Sequence, residues 1–256
     1  MRGWMIRRTF LILPTVGEST ERSLWRKGIG TWDDFLSAGS ISGFSRKRKR
    51  ELDSFVEEAD RFMGSGQTQY FTRILPGGEH WRLFGDIEDK VAYLDIETDG
   101  LRSDSMVTVV GIHKAGRTRT LVHDQELTHQ NLSSELSNCK MLVTFNGGSF
   151  DLPILQYHFP FAIPLVPHLD LRHACKRIGL TGGLKQVERS IGIRRAREVE
   201  YVTGEQAVYL WKLWTEKGKR NALTLLRRYN EEDTRNLETV ARHACNILER
   251  RVLGGS

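Results

Sequence analysis

Residues 91–100 read VAYLDIETDG, an apolar run that ends in closely spaced carboxylates. A short apolar run that is followed by turn residues predicts a buried β-strand. Side chains alternate between the two faces of a strand, so Asp95 and Glu97 share one face while Leu94 and Ile96 lie on the other. The chain must therefore fold around a sheet whose core strand carries two neighbouring acids.

The pattern downstream of this strand predicts a mixed sheet. Further strands are indicated over 106–112, 118–122 and 140–145, with a helix over 125–137 and mostly helix afterwards. Short turns between the first three strands favour antiparallel neighbours, whereas the helix before the fourth strand favours a crossover connection. The sequence therefore predicts an α/β fold in which helices flank a mixed sheet.

The length of 256 residues allows either one large core or a domain with a smaller companion. The turn-rich stretch 76–90, PGGEHWRLFGDIEDK, separates a basic, helix-rich front part from the strand-rich part. We therefore predict a small helical domain over residues 1–85 and an α/β domain over residues 86–256.

The front part contains a second pattern. Segment 13–39 predicts a turn at Gly17, a helix through Leu24 and a second amphipathic helix around Trp32. It resembles a helix-hairpin-helix module, whose backbone N–H groups contact a phosphate, and Gly17 is then a substrate-binding candidate. The basic run RKRKR at 46–50 could extend such a surface. Two helices that only pack on each other are the alternative.

Composition favours a protein that meets a polyanion in a reducing compartment. Lys and Arg outnumber Asp and Glu by 38 to 32, a net charge of +6. The three cysteines are too few for a disulfide framework, and no apolar stretch is long enough for a membrane span or a signal sequence. We expect a cytoplasmic protein without membrane contact.

Five residues in three segments have the chemistry of a metal site. Two carboxylates on one face of a buried strand repel each other, unless a hard cation such as Mg²⁺ lies between them. Asp151 falls in the first turn of a predicted helix, while Tyr229 and Asp233 lie one helical turn apart on a common face. The alternative for Asp95 and Glu97 is an exposed, fraying strand end.

The order of these residues resembles a known family. The patterns are Asp95-x-Glu97, then Asn146-x-x-x-Phe150-Asp151, then Tyr229-x-x-x-Asp233. They are similar to the three exonuclease motifs of the DnaQ-like DEDD superfamily in its tyrosine-containing form, DEDDy. The stretches VTFNGGSFDLP, HLDLR and GLTGGLKQVERSIGI resemble a narrower branch, the YprB-type ribonuclease-H-like proteins.

This resemblance implies a fold and a set of roles. The fold would be ribonuclease-H-like, with a five-stranded mixed sheet and the first strand at its centre. Two ions, Mg²⁺ or Mn²⁺, would be held by four acids, with Asp95 between the ions, Glu97 and Asp233 on the first ion and Asp151 on the second. Tyr229 would orient the attacking water, since a phenol with an ordinary pKa of about 10 is a poor base at neutral pH.

Three more residues are substrate-binding candidates. The resemblance brings Thr98 and Asn146 near the terminal nucleotide. The glycine-rich turn GLTGGLK precedes a helix that begins near Leu184, and it could bind a phosphate with Lys185 as the positive charge. A plain helix-capping turn is the alternative for this segment.

These observations predict a metal-dependent 3′–5′ exonuclease, a hydrolase of phosphodiester bonds. The expected partner is nucleic acid, with single-stranded or 3′-ended DNA favoured, and a repair or replication protein would be a compatible partner. Two alternatives stay open: an inactive nucleic-acid-binding adaptor, and a structure-specific or RNA-directed endonuclease that uses the same metal site.

Overall fold

The computed structural model describes residues 5–100, 102 and 104–254. Its centre is one five-stranded sheet in the order β3-β2-β1-β4-β5. The strands are β1 (Val91–Thr98), β2 (Val107–Lys114), β3 (Arg117–Val122), β4 (Met141–Thr144) and β5 (His168–Asp170). Strand β1 is therefore the middle strand of the sheet.

The sheet is mixed, as the sequence predicts. β1 pairs antiparallel with β2, and β2 with β3, whereas β1–β4 and β4–β5 are parallel. The helix before β4 is shorter than expected: α5 spans His129–Leu136, because the Thr128 side chain accepts the Asn131 N–H and caps it there. The pattern did not indicate β5, whose three residues are too few to show an alternation.

The helices of the second half are α6 (Asp151–His158), α7 (Leu171–Arg177), α8 (Leu184–Ser190), α9 (Gly204–Lys217) and α10 (Arg220–Gly254). The 35-residue helix α10 crosses the sheet and contacts β1 and β2. Its approach depends on Gly111 of β2, where an added Cβ would lie 2.1 Å from Thr234 Oγ1. Any larger residue at that position would push α10 off the sheet.

The first half is helical. It contains α1 (Glu18–Arg26), α2 (Trp32–Ser37), α3 (Arg46–Gly64) and α4 (Phe71–Ile74), with 3₁₀ segments at Ile6–Arg8, Thr68–Tyr70, Gly77–Asp86 and Glu88–Lys90. The two helices predicted after Gly17 are present as α1 and α2. Within the described residues before Gly17, the helical segment is the 3₁₀ turn Ile6–Arg8 rather than an α-helix.

The hydrophobic core continues across the predicted domain boundary. One cluster joins Phe35 and Leu52 of the front part with Tyr93 and Met141 of the sheet and Leu237 of α10. The front part therefore packs on the same face of the sheet as α10. The division at residue 85 stays a prediction about how the chain is organised.

The other face of the sheet is covered by α5 and α6. Leu94 and Ile96 of β1 pack there with Leu132 and Leu155. The alternation predicted from the sequence therefore holds, since Tyr93 and Leu94 belong to different clusters. Within the described ranges, no helix combines the length and the apolar character needed to cross a bilayer.

Candidate active site

Strand β1 supplies the first two acids of the site. Asp95 lies opposite Gly111 in β2 and Glu97 opposite Val109, and the register shifts directly after Glu97. Asp95 is half-buried and Glu97 is only 8% exposed. Both acids therefore sit within the sheet, on the face that α10 covers, rather than on a fraying strand end.

Helix α10 brings the third acid to this face. One ligand oxygen each of Asp95, Glu97 and Asp233 all lie within 4.8 Å of one another. Tyr229 lies one turn earlier on the same helix and is 7% exposed. The narrow space left by Gly111 permits this proximity, because it lets α10 lie directly against β2.

Asn230 is a site residue that the sequence analysis missed. It is fully buried, and its Nδ2 donates to Asp95 Oδ2 at 3.0 Å and to the Asp95 carbonyl at 3.3 Å. It fixes the orientation of the Asp95 carboxylate. A signal was present: Asn230 falls in the buried spacing of α10 between Leu226 and Asp233, where an apolar residue would be expected.

Asp151 begins α6 and lies beside the three-acid cluster. It is 6% exposed, and its Oδ1 accepts the N–H of Ile96, between Asp95 and Glu97, at 3.1 Å. Its oxygens are not among those that lie within 4.8 Å of one another. The structure therefore brings the four predicted acids to one region, with three in close contact and Asp151 docked on the strand between two of them.

The negative charges of the four acids are not balanced by the positive charges near them. Burial, and then the negative charge of Asp233, raise the pKa of Asp95 and of Glu97 well above the usual range. Burial also raises the pKa of Asp151 to about 7 and that of Asp233 to about 6. Hard carboxylate oxygens that converge in this way fit a divalent cation such as Mg²⁺ or Mn²⁺, which would relieve their repulsion.

Tyr229 is held in its neutral form. Burial, followed by the charges of Asp233 and Glu97, raises the pKa of its phenol. Its hydroxyl hydrogen-bonds to Asp233, and as a neutral phenol it is the donor. The geometry therefore suits a residue that orients a neighbouring group, and it disfavours a tyrosinate base.

Arg195 and Glu188 are two further residues that the sequence analysis missed. Arg195 Nη1 forms an ion pair with Asp233 Oδ1, while its Nε and Nη2 donate to Glu188 at 2.5 and 2.8 Å. The Arg195 side chain is 4% exposed and that of Glu188 is 1% exposed. No sequence pattern indicated this contact, because Arg195 lies in a loop among other arginines, GIRRAR.

Lys185 lies near the site but is engaged by backbone carbonyls. Its ammonium donates to the carbonyls of Glu200 and Val202, and it lies 5.0 Å from the centroid of the Tyr229 ring. Helix α8 begins at Leu184, as expected, and Gly183 caps it. The phosphate contact of Lys185 stays a prediction.

The hydroxyl and amide predicted to contact the nucleotide have local partners. Thr98 Oγ1 donates to the Gly100 carbonyl at 2.5 Å. Asn146 Oδ1 accepts from Arg172 at 2.7 Å, and Asp170 accepts the Asn146 N–H at 2.8 Å. Both residues thus stabilise turns beside β1 and β4, and their substrate contacts stay predictions.

Gly17 belongs to the front part of the chain. It is exposed, adopts an extended backbone and caps the start of α1. It is therefore no part of the acidic site, and its contact with nucleic acid stays a prediction.

The central strand and α10 thus bring together three carboxylates that could hold a divalent cation. The sequence model of the RNase H superfamily matches residues 92–245, more than half of the chain, so the protein belongs to that superfamily. This membership indicates a nuclease-type hydrolase with nucleic acid as its substrate class. None of the curated proteins matches the chain closely enough to count as a relative.

Proposed function

We propose that this protein is a metal-dependent exonuclease that removes nucleotides from the 3′ end of single-stranded or frayed nucleic acid, with DNA favoured. The observation that carries the proposal is the convergence of Asp95, Glu97 and Asp233 within 4.8 Å. The order of these acids with Asp151 and Tyr229 resembles the DEDDy motifs, which supports an exonuclease within the superfamily. The YprB-type stretches support that narrower branch.

The four acids would share two ions. Asp95, Glu97 and Asp233 would hold one Mg²⁺ or Mn²⁺, and Asp95 with Asp151 would hold the second. Asp151 Oδ1 accepts the Ile96 N–H, which holds this carboxylate beside β1. Bound ions of this kind lower the pKa of a water and offset the negative charge that develops on the phosphate.

The protein's own groups would position the reacting atoms. Neutral Tyr229, hydrogen-bonded to Asp233, would orient the water that attacks the phosphate. Asn230 holds the Asp95 carboxylate in one orientation through the 3.0 Å hydrogen bond. These groups are fixed on a buried strand and a long packed helix, which keeps the site rigid during the reaction.

A non-catalytic adaptor is the second candidate, and one contact favours it. The guanidinium of Arg195 pairs with Asp233, so a proposed metal ligand already has a cationic partner. If this ion pair persists, a nucleic-acid strand could bind without hydrolysis of its phosphodiester bonds. In the exonuclease the pair must rearrange or share Asp233 with the ion.

The decisive experiment follows the products of an end-labelled single strand incubated with Mg²⁺ or Mn²⁺. The exonuclease should produce a ladder that shortens from the 3′ end and disappears with EDTA. Asp95→Asn should abolish it, with a rate loss of roughly 10³-fold, or about 4 kcal/mol of transition-state stabilisation. Asp124→Asn is the matched control, because this carboxylate is 89% exposed and the chemical change is the same.

Each alternative has a distinct outcome in the same assay. Binding of the strand without degradation under either ion would favour the adaptor. Cutting of a circular single strand would favour the endonuclease, since a circle has no 3′ end. A ladder produced equally by Asp95→Asn and the wild type would show that the acidic cluster is not the active site.

The front part is proposed as an auxiliary nucleic-acid-binding segment. Of the basic run at the start of α3, Lys49 is buried against Asp53 and Phe35, and Arg48 donates to the Pro14 carbonyl. Lys49 and Arg48 therefore make contacts within the protein, whereas Arg46, Lys47 and Arg50 remain exposed. These three are the charges that could meet phosphates.

The double variant Arg46→Gln and Arg50→Gln tests this segment without disturbing the shared core. If both contact phosphates, the slope of log K against log salt should fall by about 1.4 for a single strand. Lys212→Gln with Lys217→Gln removes two exposed charges from α9 as the control. Equal slopes in the two double variants would exclude the front segment from binding.

A further inference from the structure

A cavity of about 600 Å³ lies beside the acidic site, and its lining is strongly basic. The segment between α8 and α9 forms its wall. Five cationic side chains line it against two acidic ones. The arginines at its outer part are Arg189, Arg194 and Arg197.

The cavity adjoins the candidate metal site through residues of its lining that also contact Asp233 and Tyr229. Arg195 lines the cavity and pairs with Asp233, and Lys185 lines it while lying 5.0 Å from the Tyr229 ring. One of the two acids, Glu188, is buried and bound by Arg195. A polyanion in the cavity would therefore lie next to the ion pair of Arg195 and Asp233.

The outer arginines have unneutralised charges. Arg189, Arg194 and Arg197 are exposed, and in the described part of the chain no carboxylate forms an ion pair with any of them. Buried Arg195 differs, since it lies between Glu188 and Asp233. Arg189 Nε donates to the Lys185 carbonyl at 3.2 Å. None of the three guanidinium groups is neutralised by a carboxylate in an ion pair that the structure describes, so their charges suit the phosphates of a nucleic-acid strand.

The cavity also presents an aromatic ring on a fixed backbone. Tyr201 lines it and is 77% exposed. Its neighbours Val199 and Val202 are buried at 1% and 7% exposure, and Lys185 binds the Val202 carbonyl. The ring therefore stands on an ordered segment, ready to stack on an unpaired base at little entropic cost.

We infer that this cavity is the channel along which a single strand enters the active site. Phosphates would lie against Arg194 and Arg197, and an unpaired base would stack on Tyr201. The inference rests on the proposed function, and it deepens it by naming the path of the substrate. Stacking on an exposed ring needs a base that is not paired, so the channel favours single strands over duplexes.

The first test measures binding of a fluorescein-labelled oligothymidylate by anisotropy in EDTA, over a series of salt concentrations. The variant Arg194→Gln with Arg197→Gln should bind roughly tenfold more weakly, and its salt slope should fall by about 1.4. The control, Arg117→Gln with Arg250→Gln, removes two exposed charges from β3 and the end of α10. Unchanged affinity and slope in the first variant would overturn the channel.

A second pair of variants tests stacking. Tyr201→Leu should weaken binding about fivefold, the lower limit for one stacked base. Tyr209→Leu is the control, because Tyr209 is 59% exposed on α9 and lies outside the cavity lining. Equal affinities of the two variants for the oligonucleotide would show that no base stacks on Tyr201.

A small substrate separates this inference from the proposed function. The nitrophenyl ester of thymidine 5′-monophosphate reaches the metal site without filling the channel, so wild type and the Arg194/Arg197 variant should hydrolyse it at similar rates with Mn²⁺. Ester hydrolysis with unaltered oligonucleotide binding would overturn the channel and leave the nuclease intact. Weaker binding by the variant, with no ester hydrolysis by the wild type, would support the binding surface and overturn the nuclease.

Discussion

Among the residues that the structure describes, Arg82 and Arg195 have almost fully buried side chains, and each lies between two carboxylates. Arg82 is 2% exposed and binds Glu21 at 3.1 Å and Glu79 at 2.6 Å. Arg177 adds a second cation, at 2.9 Å from Glu79. This network joins α1, the 3₁₀ segment Gly77–Asp86 and α7, and its two acids are matched by two cations.

The network around Arg195 is built in the same way but is not balanced. Arg195 lies between Glu188 and Asp233, two more acids, Asp95 and Glu97, adjoin Asp233, and Asp151 lies beside them against β1. The single positive charge of nearby Lys185 cannot neutralise all of these acids. A balanced buried network stabilises a joint between segments, whereas an excess of buried acids indicates a site that is completed by a cation from solution.

The largest effect on stability is expected from breaking the balanced network. Glu21→Gln leaves Arg82 with one acid fewer in a buried position and should destabilise the fold by about 3–5 kcal/mol. Glu21 also accepts the Phe10 N–H at 2.7 Å, and the neutral amide oxygen of glutamine would accept it more weakly than a carboxylate. Urea unfolding measures the change, and Glu18→Gln, an exposed acid on the same helix, is the control. A change below about 1 kcal/mol would remove the contrast between the two networks.

The acidic site should make the metal-free protein less stable as the pH rises. Asp151 and Asp233 have pKa values raised to about 7 and 6 in the folded state, so the native state binds more protons than the unfolded chain between about pH 4 and 7. Stability is then highest at the acid end of this window and falls by roughly 2–4 kcal/mol as the pH passes through it.

Comparing wild type with Asp151→Asn isolates the contribution of the site. Asp86 also has a pKa raised to about 7 by burial, and buried His80 and His168 have lowered pKa values with the opposite effect. These groups are the same in both proteins. Unfolding in EDTA at a series of pH values should show a flatter profile for the variant, and parallel profiles would contradict the raised pKa of Asp151.

Mn²⁺ should reverse the loss of stability above pH 7. An ion at a concentration one hundred times its Kd stabilises the native state by about 2.7 kcal/mol, because it binds only the folded site. A thermal shift assay measures this effect, and Asp233→Asn should reduce it. An equal rise of Tm in both proteins would place the bound ion elsewhere.

The smallest effect has the opposite sign to the first. Without metal, Asp95→Asn should stabilise the protein by about 1 kcal/mol, since it removes one of several repelling buried charges. The asparagine can still accept from Asn230 Nδ2 through its own carbonyl oxygen. Removing an acid would then lower the stability of the fold in the Arg82 network and raise it in the Arg195 network. A destabilised Asp95→Asn would show that the two networks are alike.

The parts that sequence could predict are those with a local period. The alternation along β1 predicted that Asp95 and Glu97 share a face, and the helical spacing brought Tyr229 and Asp233 together. Strand β5 has too few residues for a pattern. The resemblance to a five-stranded fold implied a fifth strand but did not place it in the sequence.

The parts that sequence could not predict depend on how distant segments pack. Glu232 is adjacent to Asp233 and does not belong to any of the motifs, yet its side chain is 13% exposed and accepts the Ala196 N–H at 3.2 Å. Arg195 comes from the same loop. A loop has no period, so neither the burial of its arginine nor the acids that it meets could be derived from spacing.

The distance between β2 and α10 depends on the single residue Gly111. Asp95 and Glu97 belong to β1 and Asp233 to α10, and the depth at which α10 rests on β2 sets how far apart these ligands stand. An added methyl group would meet Thr234 Oγ1 and Asn230 Oδ1 at 2.1 and 2.4 Å, so the helix would have to lift. The size of ion that the proposed site could hold would therefore depend on a residue that has no side chain, and a search for variants with altered metal preference would begin there.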